Sequence, residues 1–214
     1  MKEFLPISID ELKQYAKNPA PDNWVGAGMQ LQESNANHVT YGFVVETAEE
    51  GERSVGMVSF DKTTVARWYE KDGAIQKVSG EHWEKSIVMY DEEGEPTYGS
   101  YGLTMAGLLK VCDEMASHAM DRLIIRTDET NGPALGLFKK IGLDVYPEYD
   151  ECVDKKGRRE LMLTSGRVVD ATIEQMRVGI KHYRRSEHTD GSKNTVSLPE
   201  MAPAMIKRMM TGGR

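Results

Sequence analysis

The stretch RLIIRTDETNGPALGLFKKIGLDVY, residues 122 to 146, restricts the fold more than any other part of this chain. RLIIRTD is a short apolar run of the length and content of a buried strand. Asn131 then offers a side-chain oxygen to the orphan amides of a helix start. Pro133 fits the first turn because its missing donor would have no partner there. The helix PALGLFKKIG is short and amphipathic, and it closes at Gly142, where a left-handed residue commonly ends a helix. A new strand, LDVYPEYDEC, begins almost at once. A helix held between strands in this way belongs to a sheet with helices packed on it.

The rest of the chain follows the same plan. EFLPI reads as an edge strand, because Pro6 cannot donate to a ladder. Ser8 and Glu11 form a capping-box pattern at the head of a helix over SIDELKQYAKN, which the Asn18-Pro19 pair ends. HVTYGFVVET and RSVGMVSF form a hairpin about AEEGER, with TVARWYEKDG and EKSIVMYD as further strands. LTMAGLLKVCDEMASHAM is apolar nearly all round in its first turns and so predicts a largely buried helix. RRELMLTS pairs back on LDVYPEYDEC across VDKKGR. Past Gly166, Ile173, Met176, Ile180 and Tyr183 share one face of a helix over DATIEQMRVGIKHYRR. SEHTDGSKNTVS is a polar linker, and LPEMAPAMIKRMM a Met-rich end. The expected class is α+β, a curved mixed sheet flanked by helices. Residues 1–165 form the domain, and 166–214 a C-terminal helix, linker and Met-rich tail.

With 214 residues the chain fills one core and is too short for two. Its net charge of -7 argues against a nucleic-acid surface, which needs clustered Lys and Arg. Cys112 and Cys152 have no metal-like spacing and fit a reducing compartment. His38, His82, His118, His182 and His188 form no ligand set, so no metal is expected. MKEFLPISIDELK lacks the pattern of a signal peptide, and no window approaches the ~20 apolar residues of a membrane span. The expected location is cytoplasmic. There is no Ser-His-Asp order, P-loop or HExxH.

Asn131-x-x-Ala134-x-x-Leu137-Phe138-Lys139-Lys140-Ile141-Gly142-Leu143, between a strand and a hairpin, resembles the C-terminal half of the GNAT superfamily of N-acetyltransferases. There the segment reads approximately Asn-x-x-Ala-x-x-Leu-Tyr-Glu-Lys-x-Gly-Phe. The resemblance spans residues 1–165 and is most specific over 120–165. It implies acetyl-CoA as acyl donor and an amine-bearing small molecule or protein as acceptor. It also implies a pyrophosphate cradle of backbone amides, written Arg/Gln-x-x-Gly-x-Gly/Ala, at the start of the central helix. The matching run is Tyr98-Gly99-Ser100-Tyr101-Gly102-Leu103-Thr104. Gly102 meets the central glycine, Gly99 replaces the Arg or Gln, and Thr104 replaces the second small residue. Gly99, Ser100, Tyr101, Gly102, Leu103 and Thr104 are therefore the expected cofactor contacts, with Asn131 ordering the loop beside the pantetheine arm.

The family's proton donor to the leaving thiolate is the Tyr of that motif, and here it is Phe138. A carboxylate near the strand before the cradle commonly takes the amine proton. Glu84 and Asp91 are the first candidates, beside Glu92 and Glu93, with Glu46 second. The departures at Gly99 and Phe138 leave an alternative from another class. In it the chain keeps the fold as an interaction or assembly protein, resembling internal virion proteins of short-tailed bacteriophages. Residues 186–214 would then bind a protein partner, and the location would be the virion.

Overall fold

The computed structural model describes residues 1–16, 19–89, 102–116 and 122–187. One ten-stranded sheet runs through it. The strands are β1 (Phe4–Ile7), β2 (Trp24–Ser34), β3 (His38–Thr47), β4 (Gly51–Thr63), β5 (Arg67–Lys71), β6 (Ala74–Val78), β7 (His82–Met89), β8 (Leu123–Asp128), β9 (Tyr146–Val153) and β10 (Arg159–Ala171). Their order in space is β1-β2-β3-β4-β7-β8-β10-β9-β5-β6. Every neighbouring pair is antiparallel except β7 and β8, which are parallel. The helices are α1 (Ile9–Lys13), α2 (Leu103–Met115), α3 (Gly132–Lys140) and α4 (Ile173–Glu187). The class is α+β, a mixed sheet flanked by helices, as the alternation of patterns predicts.

The capping box forms as the sequence requires. Glu11 N–H donates to Ser8 Oγ at 3.1 Å, and Ser8 N–H donates to Glu11 Oε2 at 2.9 Å. α1 is nevertheless only five residues long, shorter than the run SIDELKQYAKN, and ends in a turn through Gln14 and Tyr15. β1 is an edge strand, with Pro6 opposite Gly28 of β2.

The sheet bends sharply. Arg67 of β5 stands four strands from Glu84 of β7 in the order, a separation of roughly 19 Å in a flat sheet, yet the two side chains are joined at 2.6 Å. The β5–β6 hairpin therefore folds over one face of the sheet. Beneath it lies a small apolar cluster of Tyr69, Val78, Ile124 and Val168, with Tyr146 packed against it. The main core occupies the opposite face, under α1, α2 and α4.

α4 is part of that main core. Ile173, Met176, Ile180 and Tyr183, the predicted apolar face, are all buried in it, with Met176 Sδ 3.6 Å from Cys112 Sγ of α2. A side chain at Gly179 would collide with the Ile141 carbonyl, so α4 lies against the end of α3 backbone to backbone. The boundary expected at residue 165 falls inside β10, which continues along β8 as far as Ala171 opposite Leu123.

Candidate functional site

The parallel pair is hydrogen-bonded over three positions only: Trp83 with Leu123, Glu84 with Ile124, and Lys85 with Ile125. Both strands then continue. Ser86 to Met89 stay bonded to Ser59 to Gly56 of β4, and Arg126 to Asp128 to Val168 to Gly166 of β10. Past Lys85 and Ile125 the two facing edges share no ladder bonds, so the strands part. Bare strand edges carry amides and carbonyls that an extended chain can use.

The parting opens toward the helix starts. β8 runs into α3 within three residues, at the C-terminal end of the parallel pair. α2 returns the chain to the beginning of β8, so its first turn lies toward that same end. The first amides of α2, those of Leu103 and Thr104 among them, have no intrahelical partners and carry the positive end of the helix dipole. Gly102 is the N-cap, at φ 82°, and offers no side-chain cap. A Cβ placed on it would stand 2.5 Å from the Leu12 carbonyl oxygen and 2.9 Å from the Ala16 nitrogen. One flank of the turn is thus closed by the backbone of α1 and of the turn that follows it. Leu103 is buried and Thr104 half-buried. Gly99, Ser100 and Tyr101 lie outside the described residues, as do Asp91, Glu92 and Glu93.

Asn131 caps α3, accepting the Ala134 amide at 3.1 Å through its side-chain oxygen. Replacing it with alanine is expected to cost about 1 kcal/mol, read as a lowered thermal midpoint. Phe138, in the same helix, is 4% exposed and packed in the main core.

Glu84 and Lys85 are adjacent but face opposite sides of the sheet. Glu84 lies under the β5–β6 hairpin, where Arg67 donates to both of its oxygens, at 2.6 and 3.0 Å. Burial works to raise its pKa. The Arg67 hydrogen bonds and charge, with Arg126 and His82 beyond, outweigh it and hold the carboxyl below the ordinary value. His82 Nδ1 lies 3.0 Å from the Gly80 carbonyl oxygen, and its buried Nε2, without a hydrogen-bond partner, is 3.6 Å from Glu84 Oε1. Further along this face Arg126 grips both oxygens of Glu148, and Arg122 and Tyr69 converge on Asp170. Glu84 is one member of an ionic lining that holds the hairpin down.

Lys85 points into the main core beside Phe60 and Ile125 and is 5% exposed. Burial pushes its amine down to about 8. Burial in turn drives the Cys112 thiol up to about 12, so it packs as a neutral group 3.6 Å from Met176 Sδ. Sequence reading passed over Lys85, because a single lysine within EKSIVM looks like the polar half of an alternating strand. Among the described residues, no group of three or more His, Cys, Asp or Glu could hold a metal ion.

No family model and no curated relative matches the chain. Among solved structures it is similar to a domain from Methanocaldococcus jannaschii (13% identical over 79% of this chain and 96% of that one, TM-score 0.39). It is also similar to a probable GNAT-family acetyltransferase from Chromobacterium violaceum (9% identical, 76% and 97% covered, TM-score 0.38). A third is a CoA-dependent acyl-homoserine lactone synthase (10% identical, 74% and 73% covered, TM-score 0.37).

Proposed function

We propose that this chain transfers an acetyl group from acetyl-CoA to an amine. The observation that carries the reading is the parting of β7 and β8 beyond Lys85 and Ile125. A pantetheine arm is an extended chain with two amides, and it would bond to the edge of Ser86–Met89 that β8 leaves unpaired, as a short added strand. At the mouth, the amides of Leu103 and Thr104, with Gly99, Ser100, Tyr101 and Gly102 just before them, would receive the diphosphate. Asn131 would keep the turn between β8 and α3 in place beside that arm.

In the transfer step the amine nitrogen attacks the thioester carbonyl, the C–S bond breaks, and the nitrogen gives up a proton. Of the two carboxylates expected to take that proton, Glu84 is engaged by Arg67 and held ionised, which makes it a weak acceptor. Asp91 or water is left for the role. The thiolate draws its proton from solvent, since Phe138 has none to give; an ordinary thiol of pKa about 8.5 does so readily near neutrality.

Titrating the chain with acetyl-CoA in a calorimeter tests the donor site. Saturable heat is expected, and its absence at millimolar donor would remove the reading. Release of CoA thiol on adding amines then tests the chemistry. Binding without release would favour the interaction-protein alternative, to which Phe138 in the core and the clasped Glu84 also lend weight. The expected partner segment, 186–214, lies almost wholly outside the described residues. Its removal would abolish partner capture if that alternative holds.

A further inference from the structure

We infer that the free end of the β9–β10 hairpin pairs edge to edge with the same hairpin of a second copy of this chain, making a two-fold dimer. This rests on nothing in the transferase reading. β10 lies between β8 and β9, but β8 accompanies it only from Ala171 to Gly166. From Arg159 to Leu163, β10 pairs with β9 alone among the described residues. Its other edge there presents unpaired backbone donors and acceptors. Both faces of this end are open as well. Residues 150–153 and 159–163 are all exposed, with Val153 at 66%, Leu161 at 36%, Met162 at 58% and Leu163 at 61%. A two-stranded hairpin left on its own is marginal in water.

An identical edge fits this one. The run RELML holds no proline and no lysine, the residues that usually guard a bare edge. Its two charges are occupied inside the hairpin. Arg159 donates to Glu151 of β9 at 3.3 Å, and Glu160 lies 3.7 Å from Arg158. A two-fold axis through an antiparallel pair keeps opposing side chains on one face. With Leu161 on the axis it meets Leu161 of the second copy, while Glu160 faces Met162 and Arg159 faces Leu163. No like charges oppose. An axis at Glu160 would set two carboxylates against each other. An axis at Met162 would bring Arg158 of the second copy to Gly166, whose edge Asp128 of β8 already occupies. In the Leu161 register the hairpin turn of each copy points to the end of β8 in the other. Lys155 and Lys156 of that turn are exposed, as are Asp128 and Glu129 at the β8 end, so opposite charges approach.

Sedimentation equilibrium on the full chain, with no acyl donor present, tests the dimer. The mass is expected to rise with concentration from 24.0 kDa toward twice that value. Because Leu161 is exposed within one copy, Leu161→Lys should keep its thermal midpoint. It is expected to weaken the dimer about tenfold or more, since like charges then meet on the axis. Leu161→Glu is expected to do the same. An equal mixture of the two variants is expected to recover the dimer, because an ammonium then faces a carboxylate across the axis; a misfolded chain would not. A mass fixed at 24.0 kDa, a dimer that both single variants leave unchanged, or a mixture no more dimeric than its components would each overturn the proposal. Failure of acetyl-CoA to bind has no bearing on it.

Discussion

Lys85→Met stabilises the folded chain by about 3–4 kcal/mol at pH 7, measured by urea unfolding. The figure follows from an amine lowered from 10.5 to about 8, at about 1.4 kcal/mol for each pH unit of the shift. Below about pH 8 the amine is protonated both folded and unfolded, and the folded form bears the whole cost of a buried ammonium. Between about 8 and 10.5 the unfolded chain holds a proton that the folded one has released, so stability rises with pH across that window. Above it the cost is gone. Methionine has a similar length, needs no counter-charge, and suits the company of Phe60, Ile125 and Cys112. The variant should therefore be more stable at pH 7 and should lose the alkaline rise. A wild-type profile flat from pH 8 to 10.5 would mean the ammonium is already compensated, and the argument would fail.

Gly102→Ala is the matching loss. A residue with a side chain in the left-handed region costs about 1–2 kcal/mol by itself. Here its Cβ would also meet the Leu12 carbonyl of α1 at 2.5 Å and the Ala16 nitrogen of the turn after it at 2.9 Å. Backbone cannot swing aside as a side-chain tip can, so α1 and α2 must separate. The total expected is about 3 kcal/mol, or about 10 °C of thermal midpoint for a domain of this size. Gly142 supplies the comparison. Its φ is 71°, but a Cβ there meets nothing within 4 Å. Gly142→Ala should cost only the conformational part, about 1 kcal/mol. Equal effects at the two positions would show that the contact with α1 contributes nothing. On the proposed transferase reading, the Gly102 variant should also bind acetyl-CoA more weakly, because the turn before α2 is displaced.

Where local chemistry dictates structure, the sequence was readable. The Ser8–Glu11 box, the Asn131 cap, and the face of Ile173, Met176, Ile180 and Tyr183 are each set by neighbours within one or two turns. β2 was missed because Gly26 and Gly28 lower the strand propensity of WVGAGM. Those glycines are there for Phe4 and Glu46, whose positions no local pattern reveals. β10 reads as ending at Gly166 for a similar reason. In the structure the glycine makes room for the buried Glu148, and the strand bulges past it between Leu163 and Arg167. A glycine that ends an element and one that admits a distant side chain look alike in sequence. At the site, the cap positions were visible, but the engagement of Glu84 by Arg67 was not. That contact depends on the bend of the whole sheet. The parting of β7 and β8 is also a long-range result, since a strand's own residues do not say how far its parallel neighbour accompanies it.

The hairpin of β5 and β6 has a consequence for assembly. It is synthesised between β4 and β7, yet its ladder partner is β9, through Trp68 with Tyr149 and Tyr69 with Glu148. During translation it must wait with Tyr69 and Val78 uncovered until most of the chain has emerged, and loop closure over such a span is slow. Its amides should be the last in the sheet to gain protection from exchange during refolding. They should also be among the first to lose it when β9 is weakened, releasing in one event the clasp on Glu84 and the cover over Ile124 and Val168.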